Sequence, residues 1–149
     1  MYFYAIIFLT IGLDQLTKWL IGRALILHQS VPVFPGVLSF TRVSNAGAAF
    51  GILEHKTTLL LITPLVLFFL VILFQTEIAK CPFCFRLGLA FCLGGAAGNF
   101  IDRLRTGRVI DFLDLEFWPQ DNFPVFNLAD TAIFIGALLA FFCLNQLED

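Results

Sequence analysis

Four long apolar segments dominate the pattern of hydrophobic and polar positions along the chain. A helix that crosses a bilayer needs about 20 predominantly apolar residues, so segments of this kind predict membrane-spanning helices. The second contains Pro64, which a spanning helix accommodates as a kink when neighbouring groups satisfy the freed carbonyl. We therefore predict an all-α membrane bundle of four transmembrane helices, folded as one domain over residues 1–149. The predicted spans are residues 2–21, 57–76, 85–101 and 127–147.

Two of the connections carry structural signals of their own. Residues 23–56 form a predicted surface loop in which apolar and polar residues alternate after a turn at Pro35 and Gly36. A period of two predicts short strands, so we expect a small β-sheet on the membrane surface. The connection over residues 102–126 contains Trp118, an aromatic residue that suits an interfacial segment.

The composition agrees with a membrane protein. The chain is 59% hydrophobic and 13% charged, whereas soluble domains carry about 25% charged residues. Little sequence remains for a soluble domain, and no nucleic-acid partner is expected. The first segment is not a cleaved signal peptide, since no basic residue precedes it, no small-residue cleavage site follows it, and Asp14 and Lys18 lie inside it.

The loop charges give a prediction of orientation. Most basic residues lie on the side of the long loop, which by the positive-inside rule would be cytoplasmic. This count is a weak guide, because several of these arginines lie next to candidate functional residues. The basic residues on that side are Arg23, Arg42, Lys56, Arg103, Arg105 and Arg108, against Lys80 and Arg86 on the other.

Asp111 and Asp130 are the strongest candidates for chemistry. Both lie at predicted ends of apolar segments, and an ionisable residue at membrane depth costs roughly 2.5 to 3.5 kcal/mol on insertion scales. If the two carboxyl groups converge, they can share a proton and hydrolyse an amide as general base and general acid. The alternatives are a helix cap for Asp130 and, for Asp111, a solvated loop pair with Asp114. His28 and His55 support neither a Ser/His/Asp arrangement nor a metal site, and no cofactor is expected.

Other polar residues group at helical spacing. Asp14 and Lys18 are four residues apart and can pair on one helix face, either as a structural ion pair or beside a site. Asn99 and Arg103 have the same spacing and could orient carboxylates or a substrate carbonyl. Asn45 begins a run of small residues that could form a tight turn or a backbone platform for a substrate.

Small residues and cysteines are the remaining candidates for a structural or functional role. Gly94 to Gly98 form a run that lets helix backbones approach closely, whereas a phosphate-binding loop would need the Lys-Ser/Thr that is missing here. Cys81 and Cys84 have redox or metal spacing, but the context favours a short reduced loop. Cys92 and Cys143 are interpreted as small apolar residues inside spans.

Taken together, these groups resemble the successive blocks of bacterial lipoprotein signal peptidase, the signal peptidase II family. The blocks occur in the family's order and cover nearly the whole chain. They are Asp14-Gln15-Leu16-Thr17-Lys18, Asn45-Ala46-Gly47-Ala48-Ala49-Phe50, Gly94-Gly95-Ala96-Ala97-Gly98-Asn99 with Ile101-Asp102-Arg103, Val109-Ile110-Asp111-Phe112, and Phe126-Asn127-Leu128-Ala129-Asp130-Thr131-Ala132.

The resemblance implies an aspartic endopeptidase of the bacterial inner membrane that removes signal peptides from prolipoproteins before the lipid-modified cysteine. It assigns Asp111 and Asp130 as the catalytic dyad. The site-supporting residues that it implies are Asp14, Lys18, Asn45, Gly95, Asn99, Arg103 and Asn127.

The resemblance also implies cytoplasmic termini, an extracytoplasmic sheet and a site facing the periplasmic side, opposite to the loop-charge count. Lipid-modified prolipoproteins and membrane lipids are the expected partners of a monomer. A small transporter that uses the same acids as a proton relay is the alternative, although no inverted repeat is evident.

Overall fold

The computed structural model describes residues 2–47, 57–117 and 123–145. The rest of the predicted surface loop, including the end of the block that begins at Asn45, lies outside these ranges, as do Trp118 and the predicted end of the last span. The elements in chain order are α1 (Tyr2–Ala24), β1 (Ser30–Phe34), β2 (Leu38–Asn45), α2 (Thr57–Leu73), α3 (Gln75–Lys80), α4 (Phe83–Thr106), β3 (Val109–Leu115) and α5 (Leu128–Asn145).

Three of these helices, α1, α4 and α5, are long and apolar enough to cross a membrane. Helix α2 ends at Leu73 after 17 residues, before the end of the second predicted span, and α3 begins at Gln75. Pro64 lies inside α2, as expected. Helix α4 extends beyond both ends of the third predicted span, from Phe83 to Thr106. Gly107 ends α4 in the left-handed conformation, with φ of 73° and its N–H donated to the Arg103 carbonyl at 2.9 Å.

Helix α4 forms the packed centre of the bundle, as its small residues predict. It contacts α1, α2 and α5 and also reaches β3. A Cβ atom at Gly88 would lie 2.8 Å from the Ala140 nitrogen, and one at Gly94 would lie 2.6 Å from the Thr10 Cβ. The glycines therefore set how closely α1 and α5 approach α4. Large apolar side chains such as Phe8, Phe69 and Phe134 point outward and are mostly exposed, as in a bundle whose outer surface meets lipid.

A three-stranded antiparallel sheet in the order β1-β2-β3 covers one end of the bundle. Strand β2 falls where the alternating pattern after Gly36 predicts a strand, whereas β1 lies before the turn, within the predicted surface loop. The third is a correction: Asp111 lies inside β3, opposite Val43 of β2, and not at the end of a membrane span. Phe112 of the same strand packs with Ile21 and Leu25 at the end of α1. These contacts fix the sheet to the end of the bundle.

The cysteine interpretation also requires correction. Cys84 lies in the first turn of α4 and forms a disulfide with Cys143 near the end of α5, with 6.0 Å between the Cα atoms. Neither residue is therefore a free thiol or a simple apolar side chain, because the neighbouring ends of α4 and α5 bring them together. Cys81 and Cys92 are free.

Candidate active site

The two predicted catalytic aspartates come from different elements, a strand of the sheet and the last helix. Asp111 lies in β3, and Asp130 lies in the first turn of α5. The asparagines around them are Asn45 at the end of β2, Asn99 in α4 and Asn127 immediately before α5. Sheet, central helix and the start of the last helix thus each supply part of one polar cluster.

Asp111 is held by two amide groups. The Asn127 side-chain amide donates to Asp111 Oδ1 at 2.6 Å, and the Asn45 amide donates to Oδ2 at 2.8 Å. Only 2% of Asp111 is exposed, and this burial raises the pKa of its carboxyl from 3.8 to about 6. The Asn45 hydrogen bond opposes the rise in pKa, and the negative charge of Asp130 adds to it. Asp111 can therefore exchange a proton near neutral pH.

Asp130 is part of the helix cap of α5. The Asn127 side-chain oxygen accepts the Asp130 N–H at 2.9 Å, and Asp130 Oδ2 accepts the Asn127 N–H at 3.3 Å. This reciprocal pair is a capping box. The Asn99 amide donates to the other oxygen, Asp130 Oδ1, at 2.7 Å. Helix capping, the alternative to a catalytic role for Asp130, is therefore confirmed, and the same carboxylate also belongs to the polar cluster.

Asn127 joins the two aspartates. Its side chain is fully buried, and its amide also donates to Asn99 Oδ1 at 3.1 Å. The same Asn99 oxygen accepts a hydrogen bond from Lys18 Nζ at 2.9 Å. The lysine therefore stabilises the orientation of Asn99, which in turn holds Asp130.

Lys18 is shared between two carboxylates. Its ammonium nitrogen lies 2.9 Å from Asp14 Oδ2 and 2.9 Å from Asp102 Oδ2. Asp14 Oδ1 accepts the Ala129 N–H in the first turn of α5 at 3.0 Å. The Asp14–Lys18 pairing predicted from their spacing is confirmed. Through Asn99 and the Ala129 N–H, the pair lies next to the aspartate cluster.

Gly95 and Arg103 occupy the edges of the cluster. A Cβ atom at Gly95 would overlap the Ala129 carbonyl oxygen, so this glycine sets the approach of α4 to the start of α5. Arg103 Nη2 donates to the Gly47 carbonyl at 2.8 Å, while its buried Nε has no hydrogen-bond partner within the described ranges. Electrostatic interactions also link Arg103 to Asp130 and Asp111.

Three residues of this region were not singled out as site residues from the sequence. Asp102 is the second carboxylate on Lys18, and Gln15 donates to Asp102 Oδ1 at 2.9 Å. A Cβ atom at Gly98 would overlap the Asp14 carboxylate. The sequence spacing could have identified Asp102, because it lies three residues after Asn99 and therefore on the same side of α4.

The arrangement offers two neighbouring carboxyl groups, both oriented by amides, one with a pKa near neutrality. Such a pair can hold one proton between its members and act as base and acid on an amide and a water molecule. In the described part of the chain, no group of three or more His, Cys, Asp and Glu side chains could hold a metal ion.

Comparison with known proteins agrees with this reading. A profile of the family described as signal peptidase (SPase) II matches residues 6–145. A lipoprotein signal peptidase of Listeria monocytogenes serotype 4a is 43% identical over 140 residues, 93% of this chain and 90% of the relative. One from Halalkalibacterium halodurans is 40% identical over 141 residues, 95% of this chain and 90% of the relative.

Solved structures give the same result. A bacterial membrane enzyme determined by the in meso method at 2.3 Å resolution matches with a TM-score of 0.90 and 33% identity, covering 97% of this chain and 88% of that one. A second, at 1.9 Å resolution, matches with a TM-score of 0.86 and 34% identity, covering 96% and 92%. By sequence and by fold, the chain belongs to the signal peptidase II family of multi-pass membrane peptidases.

Proposed function

We propose that this protein removes signal peptides from prolipoproteins by cutting the peptide bond before the diacylglyceryl-modified cysteine, with Asp111 and Asp130 as the catalytic dyad. The observation that carries the proposal is the convergence of both carboxylates on Asn127, which bonds to each of them. The names of the relatives support the substrate class.

The dyad holds one proton in the reactive state. The ionised carboxylate takes a proton from a water molecule, and the water oxygen attacks the scissile carbonyl carbon. The protonated carboxyl donates to the carbonyl oxygen and stabilises the tetrahedral intermediate. The carboxyl that took the water proton then donates it to the amine nitrogen, and the C–N bond breaks. As the C=O bond re-forms, the hydroxyl of the intermediate returns its proton to the other carboxylate, which restores the dyad. The pKa of Asp111 near 6 supports a proton that moves readily at this position.

The surrounding residues position the dyad and do not take part in proton transfer. Asn45 and Asn127 orient Asp111, while Asn99 orients Asp130. Lys18 and Asp14 brace Asn99 and the first turn of α5. Gly95 permits the close approach of the two helices, and Arg103 lies where it can bind the substrate backbone.

For the membrane arrangement, we propose α2 as a fourth span. Its 17 residues carry no charge and reach the lower limit of spanning length. Large side chains such as Leu65, Phe69 and Ile72 are exposed along it. With four spans, both termini lie on the same side of the membrane. The family resemblance implies that this side is the cytoplasm, so the dyad would lie toward the periplasmic side of the inner membrane. A monomer surrounded by membrane lipids would suffice, without metal or cofactor.

The test is cleavage of a diacylglyceryl-modified prolipoprotein by the purified protein in detergent. Asp111→Asn and Asp130→Asn should each lower turnover by at least about 10² to 10⁴, the usual contribution of a positioned acid or base. Asp114→Asn is the matched control, because Asp114 lies on the same strand but bonds to Thr41. A chelator should have no effect.

Retained turnover in either dyad variant would refute the assignment of the catalytic residues. A folded parent protein that cleaves the unlipidated precursor equally well would refute the assigned substrate. Because the substitutions are isosteric, thermal unfolding of each variant distinguishes lost chemistry from lost structure.

A further inference from the structure

A cavity of about 470 Å³ lies where the end of α1 meets the end of α4 and the sheet. Ligand pockets commonly have volumes of about 300–1,000 Å³. Neither Asp111 nor Asp130 lines this cavity, so it is distinct from the proposed dyad. The side chains that give it its character are Trp19, Arg23, Arg42, Arg105 and Arg108.

The cavity concentrates positive charge. Four arginines line it in a chain whose net charge is −2. Among the described lining residues, Asp102 is the only carboxylate, and it pairs at 2.9 Å with Lys18, which also lines the cavity. Within the described ranges, no ion pair involves any of the four guanidinium groups. An anion bound in the cavity would relieve the repulsion between these guanidinium groups.

The arginines are partly fixed in place. Arg42 Nη1 donates to the carbonyl oxygens of Gly22 and Leu25 at 3.0 and 2.7 Å. The Arg23 guanidinium lies over the Trp19 ring, 4.5 Å from its centroid. Arg23, Arg105 and Arg108 are exposed, whereas Arg42 is half-buried. One hydrogen-bonded guanidinium and three accessible ones form a suitable environment for a phosphate group, which guanidinium binds in a bidentate manner.

The flank of the cavity is apolar and faces outward. Leu16, Trp19 and Leu20 of α1 are each about half exposed, at 51%, 51% and 50%. Tryptophan is enriched at the boundary between lipid and water. A ligand with a phosphate and acyl chains would satisfy both surfaces, whereas a free anion would use only the arginines.

We propose that this cavity binds the phosphate of an anionic phospholipid headgroup, with the acyl chains along the exposed face of α1. The site accounts for four of the basic residues that led the loop-charge count to place this side in the cytoplasm. Those arginines serve a ligand at the membrane surface, so their number is not a reliable measure of topology. This inference is independent of the proposed peptidase activity.

The test measures lipid binding directly. Purified protein in a non-ionic detergent is titrated with phosphatidylglycerol, phosphatidylcholine or inorganic phosphate, and bound species are counted by native mass spectrometry. Phosphatidylglycerol should bind best. Arg105→Gln and Arg108→Gln should each weaken its binding about fivefold, and the double variant roughly 25-fold. The affinity should also fall as the salt concentration rises.

Lys80→Gln is the matched control, because it removes one exposed positive charge beyond the opposite end of α4. Its lipid affinity should equal that of the parent protein. Unchanged affinity in the double variant, or equal binding of phosphatidylcholine, would overturn the proposal. Inorganic phosphate that binds as tightly as phosphatidylglycerol would identify a free-anion site and would likewise overturn it. The thermal unfolding midpoint of each variant should equal that of the parent protein in the same detergent, which shows that the variants are folded.

Discussion

Substitution of Lys18 by Met tests whether one buried cation holds the polar centre together. Lys18 lies 2.9 Å from both Asp14 and Asp102, and the side-chain exposures of lysine and Asp14 are 3% and 0%. Removing one partner of a buried pair costs about 3–5 kcal/mol, because it leaves an uncompensated buried charge. For a chain of this size, about 2–4 °C of melting temperature corresponds to each kcal/mol. We therefore expect the midpoint to fall by about 6–20 °C.

Lys80→Met supplies the matched control. Lys80 lies 3.0 Å from Glu77, nearly the same distance as in the buried pair, but the two side chains are 71% and 64% exposed. Exposed pairs contribute about 0–1 kcal/mol, so the midpoint should change by less than about 4 °C. The comparison of Lys18→Met with Lys80→Met tests the effect of burial, since the chemical change is the same and the pair distances are nearly the same.

A double-variant cycle completes the test. Asp102→Asn alone should be milder than Lys18→Met, because the remaining Asp14–Lys18 pair is electrically balanced. In the background of Lys18→Met, Asp102→Asn should recover stability, with a coupling of about 0.5–3 kcal/mol. Thermal unfolding in one detergent at one pH measures all five proteins. Additive effects in the cycle, or equal losses in Lys18→Met and Lys80→Met, would refute the reasoning.

Two further predictions concern the site and the helix interface. The pKa of Asp111 is about 6 in the folded protein against 3.8 when unperturbed, so the folded state keeps its proton to a higher pH than the unfolded state does. The free energy of unfolding should therefore fall by about 2 kcal/mol as pH rises from 4 to 6. Denaturant unfolding should show this loss, and Asp111→Asn should remove it; parallel curves would contradict it. Gly95→Ala should cost about 1–3 kcal/mol, because its Cβ would overlap the Ala129 carbonyl oxygen. Gly12→Ala, with nothing within 4 Å, should instead gain about 0.5–1 kcal/mol; equal thermal shifts in the two variants would contradict the packing argument.

The spacing of apolar and polar residues along the sequence predicted the features that form within one helix or strand. The apolar segments predicted the long helices, the alternation after Gly36 predicted β2, and a spacing of four residues predicted the Asp14–Lys18 pair. Each of these rests on the geometry of one helix or strand. The resemblance then added the aspartate cluster, whose members the structure brings together.

Features that depend on distant pairing could not be predicted in the same way. Strand β3 forms because Asp111 and its neighbours pair with β2, more than sixty residues earlier. The disulfide joins Cys84 to Cys143 across two helices, at a separation of 59 residues. Asp102 reaches Lys18 only because α4 packs on α1. None of these contacts leaves a periodic signal, since each depends on how complete elements pack.

Asn127 shows how a helix cap and the proposed catalytic pair can share the same residues. Its side-chain oxygen caps α5 through the Asp130 N–H, and its amide bonds both Asp111 and Asn99. Its backbone N–H donates to the Asp130 carboxylate. One buried residue therefore fixes the start of the helix and contacts both carboxylates. Aspartate at this position could still accept the Asp130 N–H, but it would lose the donated side-chain bonds and add a negative charge beside Asp111. Asparagine satisfies both tasks, because its side chain combines an acceptor for the helix with a donor for the Asp111 carboxylate.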